Sequence, residues 1–368
     1  MTSGNNAPIK DFRPSGPNGA ESVAEEDPAD HSARRGPARG LVPFGPFVRP
    51  APLKLDRTGS PSDQGLTDWG LMTATLDPFS PAGSPGRHSG IGAPACDDDR
   101  EVPLIGGDMT DGVVRVGRTV RRPMRPHTPA VHALLRHLEA VGFDGAPRVL
   151  GVDARNREVL TYLPGLVPHR PLPGYALSDA TLVALAELQL RYHQAVIGFD
   201  PPSWANWDGE LTGLVDGPPE LVCHCDINLE NVIFEPGPDG PRPYALIDFD
   251  LARPGTRLVD IIQTLRYWAP LATPADRDPA FAGADVPGRI AVFCEAYGLS
   301  YAARARLIPV AVRWMRRSRI TITERAERRG GAWTRMLEAG VGERLTRSAA
   351  WLERCRPEIE ARLSRGGA

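Results

Sequence analysis

Asp226, Asn231 and Asp248 are the residues whose types and spacing could do chemistry. Two short apolar runs, Val232–Phe234 and Ala245–Ile247, flank a Pro/Gly-rich turn at Glu235–Pro243, which predicts a hairpin with polar residues at its strand ends. Asp226 and Asn231 precede the first strand, and Asp248 ends the second. Two carboxylates and an amide at one hairpin mouth offer hard oxygen ligands to a divalent cation, with one carboxylate left to act as a base. Mg²⁺ takes such ligands, typically one or two carboxylates together with substrate phosphates. The implied chemistry is metal-assisted handling of phosphate. An ordinary hairpin with exposed acids is the bland alternative, and several polar positions matching at once weigh against it.

The same stretch reads His224-x-Asp226-x-x-x-x-Asn231, then Ile247-Asp248-Phe249, then Asp260 opening a helix. In these motifs it resembles the catalytic core of the aminoglycoside phosphotransferase-like family, which includes choline kinases and shares the protein-kinase-like fold. The resemblance implies an α+β, two-lobed chain, with a small β-rich N-lobe over 101–163 and a larger, mostly helical C-lobe over 164–368. It implies ATP or GTP with Mg²⁺, and transfer of a γ-phosphate to a hydroxyl of a small molecule. Asp226 would be the catalytic base, and Asn231 and Asp248 the metal ligands. His224 would fix the loop through a backbone hydrogen bond, Asp250 would support the metal site, and Asp260 would anchor the loop from the following helix.

The elements that must position these groups are legible upstream. Val113–Val116, Gly117-Arg118 and Thr119–Arg122 read as strand, turn, strand, preceded by Gly106-Gly107 in a loop whose backbone can approach phosphate without a Cβ in the way. The resemblance places a phosphate-binding lysine on the third strand, where this chain has Arg121 with Arg122 beside it. Only Lys10 and Lys54 are lysines in the whole sequence. The family's helix glutamate is also missing: Val131 and His132 occupy its place, and Glu139 lies two turns on. These departures motivate the alternative of a nucleotide-binding pseudokinase or regulatory module. Pro129–Val141 is patterned as a helix, Arg148–Val152 and Glu158–Tyr162 as a strand pair, and Tyr162-Leu163 as the hinge where a nucleotide base would bond backbone groups.

Ser178–Val196 predicts a long helix with Ser178 as its N-cap. Helices are expected again over Ile261–Trp268, Gly288–Tyr297, Tyr301–Arg329 and Glu343–Leu363. After Ser300 there are sixteen Arg against seven Glu, which gives no sign of an acidic pocket for a polycationic acceptor. Residues 1–100 are about one quarter Pro and Gly without periodic runs, the composition of a disordered tail.

The net charge of −2 points to no nucleic-acid or membrane partner. No apolar run reaches roughly 18 residues, and Met1–Gly16 lacks an apolar segment, so neither a membrane span nor a secretory leader is expected. Five cysteines without framework spacing fit a reducing, cytoplasmic setting, and Cys223 and Cys225 read as buried thiols beside the catalytic loop. Nothing in the sequence sets an oligomeric state.

Overall fold

The computed structural model describes residues 100–104, 112–207 and 215–365, all within one compact unit, Ser89–Ala368. The expectation of a disordered tail over 1–100 and of a phosphate loop at Gly106 and Gly107 falls almost wholly outside the described residues.

The sheet that opens this unit has five antiparallel strands in the order β1-β2-β3-β5-β4. They are β1 (Glu101–Pro103), β2 (Val114–Val116), β3 (Thr119–Pro123), β4 (Val149–Val152) and β5 (Arg157–Thr161). The two-residue turn Gly117-Arg118 joins β2 to β3, and Gly117 takes φ 56°, the left-handed conformation that a tight hairpin requires. The register sets Arg122 of β3 directly opposite Glu158 of β5. Between β3 and β4 runs α1 (Thr128–Ala140), with Pro129 in its first turn and Val131, Leu134, Leu135 and Leu138 buried on one face.

The chain then turns helical. After the short α2 (Gly174–Leu177), α3 (Asp179–Ala195) begins at Ser178, whose side chain accepts from the Thr181 backbone N–H. Two small antiparallel pairs follow. β6 (Leu221–Cys223) pairs with β9 (Arg253–Gly255), and β7 (Val232–Glu235) pairs with β8 (Arg242–Leu246) as the expected hairpin. The rest is helical: α4 (Arg257–Trp268), α5 (Val286–Tyr297), α6 (Tyr301–Arg329), α7 (Ala332–Glu338) and α8 (Val341–Arg365). A sheet with one helix followed by a mainly helical part is the α+β, kinase-like architecture expected from the sequence. Among the described residues no helix is long and apolar enough to cross a membrane.

One apolar core runs from α1 through the hairpin into the helices, with Leu134, Leu185, Phe234, Trp268, Ile290 and Leu352 fully buried. Phe234 meets Tyr175 edge-on at 5.2 Å between ring centroids. Its backbone N–H and C=O both bond Leu166, which fastens the segment after β5 to the hairpin. Gly165 is required there: a side chain would collide with the Phe234 carbonyl.

Asp260, in the first turn of α4, is wholly buried. A buried charge persists only when hydrogen-bonded, and Asp260 is bonded on both oxygens. Oδ1 accepts the Cys225 backbone N–H at 2.7 Å. Oδ2 is 2.8 Å from His193 Nε2 and accepts from Gln189 at 3.1 Å and from the His224 backbone N–H at 3.4 Å. His193 in turn meets the Tyr297 hydroxyl at 2.7 Å. The helices α3, α4 and α5 are thereby tied to the loop after β6. Burial pushes the Asp260 carboxyl up, but the His193 hydrogen bond and charge and the Cys225 N–H outweigh it and hold the group below the usual carboxylate range.

Two outcomes are expected at this carboxylate. Asp260→Asn should lower unfolding stability by about 3–5 kcal/mol near neutral pH, because it breaks a buried charge-assisted network. Since the folded carboxyl is held below its unfolded value of about 3.9, its contribution is complete above that value and lost as pH falls through the lowered one. Urea titrations at about pH 7 and about pH 3 check both, and the gap between wild type and variant should narrow at the acid end.

Candidate active site

The loop between β6 and β7 carries Asp226 and Asn231, and its shape is locally specified. Asn228 accepts the backbone N–H groups of Glu230 and Asn231, winding a single 3₁₀ turn over Leu229–Asn231. Cys225 takes φ 66°, and its N–H reaches Asp260. His224 is fully buried; its Nε2 lies 3.1 Å from the Ile247 carbonyl, and its ring packs 4.4 Å from that of Phe249. The loop and the strand end bearing Asp248 are thus held together by an imidazole and by the bond from the Ile247 N–H to the Asn231 carbonyl.

Asp226 Oδ2 accepts from the side-chain amides of Asn228 at 3.1 Å and Asn231 at 2.9 Å. Asn231 spends its second amide hydrogen on the Asp226 backbone carbonyl, also at 2.9 Å, which leaves its carbonyl oxygen available. Burial, followed by the nearby Asp248 charge, pushes the Asp226 carboxyl up to about 6; the two asparagines and Arg266 oppose the rise. A carboxylate in this range is poised to take a proton near neutrality.

A cavity of about 350 Å³ lies between the five-stranded sheet and the hairpin. Val113, Val120, Leu160, Ile233 and Ile247 supply apolar wall, Tyr162 and Leu163 line it from the end of β5, and Asn231, Asp248 and Arg122 supply polar groups. Asp248 is left-handed at φ 60°, an uncommon conformation that Asp tolerates better than most residues.

Here the structure corrects one expectation. Arg121 faces away from the cavity, 3.7 Å from Asp153. Neighbouring residues of a strand point to opposite faces, so it is Arg122 that enters the cleft. Arg122 donates to Glu158 at 2.6 Å, to Asp248 at 2.9 Å and to Asp250 at 2.6 Å. Burial pulls the Arg122 guanidinium down, but Asp250, Asp248 and Glu158 more than offset this and hold it above its ordinary value. The acidic partner that the sequence lacked on α1 is therefore on β5. Glu158 receives Arg122 on one oxygen and stands 2.8 Å from His132 Nε2 on the other, and His132 occupies the helix position where a glutamate was expected. Glu139 is exposed. Asp250 gathers Arg122 together with the side chains of His127 at 3.6 Å and Arg125 at 3.9 Å. Burial raises its carboxyl, and His127 and Arg122 bring it below the usual range.

The structure thus brings Asp226, Asn231, Asp248, Asp250, His224, Tyr162 and Leu163 together, with Asp260 behind the loop. It leaves Arg121 outside, and Gly106 and Gly107 lie beyond the described residues. Arg122 and Glu158 are the members that sequence reasoning missed. The donor set fits a divalent cation: the Asn231 carbonyl oxygen and the Asp248 carboxylate are hard oxygen ligands on one cavity wall.

A phosphotransferase enzyme family model matches residues 202–293, a span that contains His224, Asp226, Asn231, Asp248 and Asp260. The trifolitoxin immunity protein of Rhizobium leguminosarum bv. trifolii is 34% identical over 168 residues, which are 44% of this chain and 60% of that protein. The chain therefore spans less than two thirds of the length of this relative. Among solved structures, a choline/ethanolamine kinase family protein from Mesorhizobium loti is 16% identical with a TM-score of 0.49, covering 74% of this chain and 94% of that one. Aminoglycoside 2′-phosphotransferase-IIIa, solved as a GDP complex, is 13% identical with a TM-score of 0.49, covering 70% and 94%. The His224-x-Asp226-x-x-x-x-Asn231 and Ile247-Asp248-Phe249 motifs, together with Asp260, lie inside the quarter of the chain that resembles this phosphotransferase enzyme family.

Proposed function

We propose that this chain transfers the γ-phosphoryl group of a purine nucleoside triphosphate to a hydroxyl of a small molecule. The observation that carries this reading is the half-buried Asp226, poised near neutrality and bonded to Asn231, whose carbonyl oxygen shares the cavity wall with Asp248. The nucleotide base would sit among the apolar residues near Tyr162 and Leu163, with its phosphates toward Arg122. Mg²⁺, held by Asn231 and Asp248, would neutralise phosphate charge when bound. Asp226 receives the acceptor hydroxyl proton as the new O–P bond forms and the bond from Pγ to the β-phosphate oxygen breaks. The products are a phosphate ester and a nucleoside diphosphate. Asn228 and Asn231 hold the Asp226 carboxylate in place during that step, so the chain contributes mainly orientation and electrostatics, as phosphoryl transfer demands.

Arg122 takes the role assigned in the sequence to Arg121. Its guanidinium is permanently charged and has a planar fork suited to bidentate phosphate contact. Glu158 and His132 keep the guanidinium at the cavity wall.

A second reading is a nucleotide-binding module without catalysis, and the direct pairing of Arg122 with Asp248 and Asp250 favours it, because one cation already compensates both acids. The relative named as an immunity protein supports a further variant of either reading, in which the molecule modified or bound is a toxin. Transfer separates the readings: Asp226→Asn should cut turnover by roughly 10²–10⁴ while nucleotide binding, followed by calorimetry, persists. An unchanged rate would remove Asp226 from the chemistry.

The two neighbouring arginines provide an internal contrast. Arg122→Lys keeps a charge but cannot hold three carboxylates, and it should weaken nucleotide binding roughly ten- to a hundredfold, the worth of a charge-assisted hydrogen bond. Arg121→Ala should leave that affinity unchanged. Equal effects in the two variants would return the phosphate contact to an open assignment.

A further inference from the structure

The composition after Ser300 suggested a basic acceptor lobe, but the residues behind that impression are largely spent on their own partners. Arg316 pairs with Glu353, Arg347 with Asp276 and Arg306 with Asp216, while Arg313 donates to the Val215 carbonyl. The arginine that matters for an acceptor lies earlier, at the end of α4. The Trp268 indole N–H donates to the Ile227 carbonyl at 2.9 Å, which pins this helix end against the residue following Asp226. Arg266 and Tyr267 immediately precede it, and the Arg266 charge acts on the Asp226 carboxyl.

Arg266 is held by flat surfaces. Its guanidinium carbon lies 5.0 Å from the Tyr267 ring centroid and 5.5 Å from that of Trp314 on α6, and it donates to the Tyr267 hydroxyl at 3.5 Å. Among the described residues it pairs with no carboxylate. Two more donors are left over nearby. The Trp314 indole N–H and the side-chain amide N–H₂ of Gln263, one turn before Arg266 on α4, are buried without hydrogen-bond partners among the described residues. A buried N–H without an acceptor is destabilising. None of Arg266, Tyr267, Gln263 and Trp314 lines the cavity between the sheet and the hairpin.

We propose that Arg266, packed against Tyr267 and Trp314, is the anion-binding group of the acceptor site, and that the acceptor is a hydroxylated molecule bearing a carboxylate or phosphate rather than an amine. A guanidinium flanked by two aromatic rings and without a carboxylate partner among the described residues suits an oxyanion and repels an ammonium group. This assignment rests on the phosphotransfer reading for the fate of the hydroxyl, though not for the binding of the anion.

Three probes of equal length test it on the full chain with Mg²⁺ and nucleotide: hydroxypropanoate, aminopropanol and propanediol. Ligand-observed saturation-transfer NMR reads binding, and nucleoside diphosphate release reads transfer. Hydroxypropanoate should bind best and be phosphorylated at least about tenfold more efficiently than aminopropanol, the scale of one charge-assisted hydrogen bond. Arg266→Gln should abolish that preference, Arg266→Lys should retain part of it, and Arg266→Glu should reverse it. Wild-type binding of aminopropanol equal to or tighter than that of hydroxypropanoate overturns the assignment, as does binding of none of the probes or an unchanged preference in Arg266→Gln. The wild-type probe order needs no variant to fold. Anion binding without transfer would refute the catalytic reading and leave the anion site standing, whereas preferential transfer to aminopropanol would do the reverse.

Discussion

One guanidinium holds the two parts of the site in register. Arg122 is nearly buried and bonds Glu158 within the sheet, and Asp248 and Asp250 beyond the end of the hairpin. A guanidinium does not lose its proton in a protein, so charge in this cluster can be balanced only by keeping carboxylates ionised around it. Such a cluster contributes little net stability compared with an apolar replacement, yet losing one member strands the others. Its effect is one of geometry: three carboxylates from two segments are constrained to one plane-sided fork. The sheet strand β3 and the strand end carrying Asp248 therefore cannot drift apart without separating buried opposite charges.

Asp250, Asp260 and Asp226 are each stabilised by a different kind of donor, and this sorts them electrostatically. Asp250 has cationic side chains and is held low. Asp260 has an imidazole and two backbone N–H groups, and is also held low despite full burial. Asp226 has only neutral amides within bonding distance, and it feels Asp248, so it alone of the three is pushed up. Arg122, by drawing Asp248 into an ion pair, limits how strongly that acid acts on its neighbour. Groups of identical chemistry are thus sorted into one held high and two held low through surroundings alone.

Much of this was legible in the sequence. The hairpin, the Ser178 cap and the helices from α1 to α8, apart from the short α2 and α7, follow from periodicity and turn residues. Asp226, Asn231 and Asp248 follow from motif spacing. What failed to show has specific causes. β6 and β9 are three residues each and pair across some thirty positions, so neither carries a periodic signal. Arg121 and Arg122 are consecutive in a five-residue strand, and nothing in composition says which faces inward; the register that settles it is set by β5. Glu158 was read as a strand residue and nothing more, because the expected acid belonged on a helix. Arg266 looked like one arginine among many until the partners of the others were known.

The position of Glu158 changes what controls the cleft. In protein kinases the lysine's acidic partner rides on a helix, and displacement of that helix breaks the pair and disables the site. Here Arg122 and Glu158 are opposite one another in adjacent strands, so their bond is part of the sheet ladder's own geometry. The helix contributes only His132, which braces the far oxygen of the same carboxylate. Movement of α1 would loosen Glu158 without releasing Arg122, and the pairing of Arg122 with Asp248 and Asp250 would survive it. A sheet-borne acid therefore gives a cleft whose basic group stays in place whatever the helix does. The proposed nucleotide site would then stand ready rather than be switched by the helix.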